Sequence, residues 1–93
     1  MKVVLNVCFG GFGLSQKAQD YLGLDFNTRY KYNDYYNRTA PELIECIEEL
    51  GSFEASGKNA KLAVIEIPDG IEWEIYDHDG FETIHEKHRV WSV

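Results

Sequence analysis

Ninety-three residues and 10.7 kDa allow one domain, spanning residues 1–93, with a thin core. Nine Lys and Arg against sixteen Asp and Glu give a net charge of −7, which excludes broad attachment to nucleic acid or anionic lipid. Hydrophobic content of 44% and charged content of 27% are those of a soluble globular chain, while the 14% of aromatics is high.

Lys2 to Cys8 is almost continuously apolar and β-branched, so the pattern predicts a strand buried on both faces, in the middle of a sheet. Asn6 interrupts it, and a buried amide without partners costs about 1–3 kcal/mol. This opening is too short and too polar for a secretory segment, and no window reaches the roughly 20 apolar residues of a membrane span. Cys8 and Cys46 are read as free thiols of a cytoplasmic protein.

A glycine turn, Gly10-Gly11-Phe12-Gly13, follows the strand and precedes Ser15, the predicted N-cap of a short helix over Gln16 to Leu22. Residues 24–38 carry no helical or strand period and read as an ordered aromatic loop. Thr39-Ala40-Pro41-Glu42 matches a capping box for a helix ending at Gly51, with Leu43, Ile44, Ile47 and Leu50 as its buried stripe. Gly51 to Asn59 reads as a polar loop and Ala60 to Ile67 as a strand. Ile71, Trp73 and Ile75 alternate with polar residues on the next strand, and Asp79-Gly80 marks a hairpin turn; Phe81 to Trp91 fits a further strand, which the turn favours, or a helix that lines up Phe81, Ile84, His85 and His88. The expected fold is α+β in the order β-α-α-β-β-β, a mixed sheet with two helices packed on it.

Three groups of residues carry possible chemistry. Backbone N–H groups of Gly10, Gly11 and Phe12, with Ser15 at the helix start, suit an anion; the plainer reading is a tight connection needing positive φ. The aromatic loop holds Arg29, Lys31 and Arg38, which with interleaved tyrosines suits a nucleobase and its phosphate. The same tyrosines serve equally as a lid on the core. In the tail, His85, His88 and Arg89 offer titratable and cationic groups, or a solvated charge cluster. His85 and His88 fall on opposite faces of a strand, and the chain has no zinc-type cysteine pair, so no metal and no other cofactor is expected. Five carboxylates over 42–54 and eight over 66–86 form solvated faces or a bait for a basic protein.

The pattern Asn6-x-Cys8-x-Gly10-Gly11-Phe12-x-Leu14-Ser15, with Glu66-Ile67-Pro68-Asp69 and the ending His85-Glu86-x-His88-Arg89-x-Trp91, resembles a family of small bacteriophage-encoded proteins. The resemblance spans nearly the whole chain. It implies an accessory, anti-defence role in the host cytoplasm and brings no activity with it. On this basis the expected function is binding and sequestration of a small nucleotide-like ligand. Its expected site is Asn6, Gly10, Gly11, Phe12, Ser15, Arg38, His85, His88, Arg89 and Trp91 around one hollow, in a homodimer or higher homo-oligomer. Two alternatives stand beside it. One is an acidic inhibitor of a host defence protein. The other is a small phosphoesterase using His85 or His88.

Overall fold

The computed structural model describes residues 1–86 and has an α+β fold. Strand β1, Lys2–Asn6, is buried on both faces as its apolar run requires. It pairs antiparallel with β2, Leu62–Glu66, with Val4 opposite Val64. A second antiparallel pair joins β3, Trp73–His78, to β4, Phe81–Glu86, with Ile75 opposite Ile84.

The expected single mixed sheet is therefore two separate two-stranded sheets, both antiparallel. Between them, Pro68 has no N–H to extend a ladder and Gly70 takes φ +80°, so the chain turns away from β2's line. The β3–β4 hairpin then lies across one face of β1–β2 instead of lengthening it. Asp79 and Gly80 both adopt positive φ, 52° and 89°, as a two-residue hairpin turn demands.

Helices cover the other face of β1–β2. Helix α1 is Gln16–Tyr21, α2 is Pro41–Leu50, and a single turn, α3, occupies Ser52–Ala55 in the stretch expected to be loop. The core splits accordingly. Val4 and Leu62 pack with Ala18, Leu43, Cys46 and Ile47 on the helical side, whereas Val3 and Leu5 pack with Ile67 and Ile75 under the hairpin. One strand thus seals two small cores, and the alternation of Val3, Val4 and Leu5 between them accounts for its lack of a polar face.

Ser15 caps α1 as predicted, its hydroxyl accepting from Ala18 N–H at 3.1 Å. The capping box at α2 does not form. The N-cap is Ala40, one residue later than the box needs, so Glu42 falls at the second helical position and not the third. Its carboxylate accepts instead from the Tyr32 hydroxyl at 2.9 Å. The aromatic loop is ordered, with 3₁₀ turns at Lys31–Asn33 and Tyr35–Asn37, and Tyr32 is buried in the helical core.

Candidate functional site

Two places in the fold concentrate polar and aromatic groups. The first lies along the edge of β1 that β2 leaves free. An exposed or buried strand edge presents N–H and C=O groups that need partners. Among the described residues no third strand supplies them. Val4 N–H donates to Arg38 O at 2.9 Å, and Val4 O accepts from Arg38 Nη1 at 3.2 Å. Asn6 N–H donates to Glu82 Oε1 at 2.8 Å. Arg38 and Glu82 face each other side-on, Nη1–Oε1 at 2.6 Å and Nη2–Oε2 at 2.8 Å, with both side chains almost wholly buried.

The remaining donors of Arg38 are also engaged. Nε donates to Tyr32 O at 2.6 Å and Nη2 to Asn33 O at 3.2 Å. Five hydrogen bonds match the five N–H groups of a guanidinium, and the Phe12 ring stacks 3.7 Å from its carbon. Arg38 has no donor left for a ligand.

Asn6 is equally committed. Its Nδ2 donates to Cys8 O at 2.9 Å and to Gly80 O at 2.6 Å, while Oδ1 accepts from Lys61 N at 2.8 Å and from Cys8 Sγ at 3.6 Å. Ser15 Oγ, besides capping α1, donates to Glu54 O at 2.6 Å. The glycine turn is pressed between two other backbones. A Cβ on Gly10 would lie 1.7 Å from Asn59 O, and one on Gly80 would lie 2.3 Å from Gly11 N. Close approach of the protein's own chain accounts for these glycines. A shallow depression of about 300 Å³ remains beside Gly10, Gly11, Phe12, Gly13 and Lys58.

The end of β1 does meet the hairpin, where Asn6 N–H bonds Glu82 and Asn6 Nδ2 bonds Gly80 O. His85 is not brought to this junction. It stands on the opposite face of β4 from Glu82, exposed, with Nε2 2.9 Å from Thr83 Oγ1 and its ring 4.5 Å from that of Tyr76. His88, Arg89 and Trp91 lie outside the described residues. Among the described residues no group of three His, Cys, Asp or Glu could hold a metal ion, and no helix is long and apolar enough to cross a membrane.

The second place is a groove of about 590 Å³ between the aromatic loop and β3. Tyr35 and Tyr36 of the second 3₁₀ turn form one side, with Thr39. Trp73 and Ile75 form the other. Two carboxylates, Asp34 and Glu74, join the lining. Asp34 Oδ1 caps its turn by accepting from Tyr36 N–H at 2.9 Å, and Glu74 Oε1 accepts from the Tyr76 hydroxyl at 2.5 Å. Burial pushes the Tyr35 phenol above its ordinary range, and the negative Glu82 and Asp77 add to this against the opposing Arg38.

Neither Glu82 nor the groove belongs to the expected site. Glu82 did carry a signal, because the alternation of β4 puts it on the face of Ile84, a core position for an acid. The groove carried only half of one. Its tyrosines stood out as an aromatic run, but nothing local joins them to Trp73, almost forty residues on.

No family model, curated protein or solved structure matches this chain.

Proposed function

We propose that this chain is a protein-binding module that docks on a basic partner through exposed aromatic rings set in an acidic surface. One observation carries the reading. Asn6, Ser15 and Arg38 spend their polar atoms on the fold, while large apolar side chains are left outside. Tyr36 is 92% exposed, Phe53 91% and Phe26 79%. Interfaces are enriched in such rings, and a ring that is exposed loses its apolar contact with water when a partner covers it. The charge supports the same partner chemistry. Glu45, Glu48 and Glu49 line the outer side of α2, and the whole chain carries −7. Complementary potential speeds encounter with a basic surface and selects against acidic ones. The phage resemblance supplies the setting proposed with it, a host defence protein as the partner in a host cytoplasm.

A second reading, capture of a nucleotide-like anion, keeps one supporting observation. The depression at the glycine turn has Lys58 on its rim.

A paired experiment tests the two. The immobilised chain should retain one protein from a host lysate. Retention should fall as salt shortens the screening length below about 8 Å, and should vanish when Glu45, Glu48 and Glu49 are changed to Lys. These positions are exposed, so the variant folds. Retention indifferent to both salt and charge reversal would refute the protein-binding reading. Melting curves with nucleotides should stay unshifted. Stabilisation by about 2.7 kcal/mol at a hundredfold excess over Kd would establish the anion reading in its place.

A further inference from the structure

We infer that the groove between the aromatic loop and β3 is a receptor for a guanidinium group, an arginine side chain of the basic partner. The inference rests on the protein-binding reading and gives it an address. Ring faces carry negative charge density and attract cations, and Tyr35, Tyr36 and Trp73 line this groove together. Two acids stand with them. Asp34 and Glu74 each use one oxygen internally, Oδ1 on Tyr36 N–H and Oε1 on the Tyr76 hydroxyl. Among the described residues no cation pairs with either. Their second oxygens can therefore meet an incoming donor. A phosphate or carboxylate would be repelled from the same place.

The molecule already uses this chemistry within itself. Arg29 stacks 3.9 Å from the Phe26 ring and 4.6 Å from that of Tyr30. Arg38 combines a ring at 3.7 Å with a side-on carboxylate. The groove offers the same two components, flat rings and a carboxylate, and among the described residues no cation pairs with Asp34 or Glu74. A planar guanidinium satisfies both at once, stacking on a ring while its fork donates to an acid. An ammonium can only approach as a point charge. The volume of about 590 Å³ exceeds one side chain, so the residues flanking the arginine are accommodated too.

The test uses the full chain with Trp91→Phe, which leaves Trp73 as its single tryptophan. A labelled arginine–glycine repeat peptide is titrated, with lysine–glycine and glutamate–glycine repeats for comparison. Anisotropy of the label reports binding anywhere, and Trp73 fluorescence reports the groove. The expected result is a saturable change in both signals with one Kd for the arginine peptide, and no binding of the glutamate peptide. Asp34→Asn with Glu74→Gln should weaken the arginine peptide by at least about tenfold, as loss of charge-assisted hydrogen bonds implies. Both replacements keep the internal acceptor oxygen, so the turn at Tyr36 and the contact to Tyr76 survive. Equal affinity for the lysine peptide would overturn the guanidinium assignment. Binding seen by anisotropy alone, with Trp73 silent and the double variant unaffected, would overturn the groove and leave the protein-binding reading standing. No binding of any basic peptide at millimolar concentration would overturn both.

Discussion

Changing Glu82 to Gln removes one charge and no volume, and its cost follows from the site. Arg38 and Glu82 are 1% and 2% exposed, so neither can turn to water when its partner is altered. A Gln has one acceptor oxygen where Glu82 has two, and three donors converge on it: Asn6 N–H, Arg38 Nη1 and Arg38 Nη2. Whichever way the amide is turned, its NH₂ group faces a donor. A buried guanidinium is also left without its counter-charge, which costs about 3–5 kcal/mol. A domain of this length has about 5–14 kcal/mol to lose, so the variant should fold but unfold at far lower urea. The informative comparison is the double variant Arg38→Met with Glu82→Leu. Buried ion pairs replaced by apolar groups of similar volume are often neutral or better. Here the double variant should stay at least about 2 kcal/mol below the parent. It strands Asn6 N–H and Val4 C=O on the buried β1 edge, and an unmet backbone group costs about 1–3 kcal/mol. Urea titrations of all three proteins, read by circular dichroism, decide it. Recovery of parental stability in the double variant would refute the claim that this pair substitutes for a missing strand.

Other perturbations separate packing from conformation and locate a titrating group. Gly70 and Gly80 share a left-handed φ, 80° and 89°, but only Gly80 abuts another backbone. Gly70→Ala should cost about 1–2 kcal/mol for its φ alone. Gly80→Ala should cost about 1–3 kcal/mol more for driving a Cβ against Gly11, and equal denaturation midpoints would contradict that contact. Burial, reinforced by Glu42, pushes the Tyr32 phenol up to about 12. A raised pKa makes its stabilisation complete below the unfolded value near 10 and lost as pH rises toward 12, about 2–3 kcal/mol in all. Tyr32→Phe should lower stability at pH 7 by about 1 kcal/mol through the lost Glu42 bond, yet flatten the alkaline decline. An unchanged alkaline slope in the variant would show that another group controls it.

The elements were legible where physics acts within a few residues. The unbroken Val3-Val4-Leu5 run announces a strand with two buried faces, Ser15 announces its helix, and Asp79-Gly80 announces its hairpin. Pairing between distant segments was not legible. The partner of β1's free edge is a side-chain pair whose members lie 44 residues apart, so a strand buried on both faces was read as the middle of a sheet. Arg38 carries the same letters whether it faces water, a phosphate or a buried acid. The glycine turn shows the same limit from another side. Gly10 marks a place where something comes close to the backbone, and here that is Asn59 O. A ligand oxygen would have left an identical trace in the sequence. The capping box failed by one residue, since Ala40 and not Thr39 ends the extended backbone before α2.

The pair that closes β1 also fixes the groove. Arg38 follows Tyr35 and Tyr36 by three and two residues, and its guanidinium lies 5.4 Å from the Tyr35 ring. Glu82 belongs to the hairpin that carries Trp73 and Ile75. The bidentate contact therefore joins the two walls from beneath, at a position where neither member can exchange its partner for water. Asn6 strengthens the junction, since it bonds Glu82 through its main chain and Gly80 through its side chain. A groove whose walls came from a loop and a two-stranded hairpin would otherwise be soft, because an isolated hairpin is marginally stable. The polar residues that first suggested a ligand pocket act one layer deeper. They tie the loop that carries Tyr35 and Tyr36 to the hairpin that carries Trp73, and a preorganised groove loses less freedom when a cation enters it.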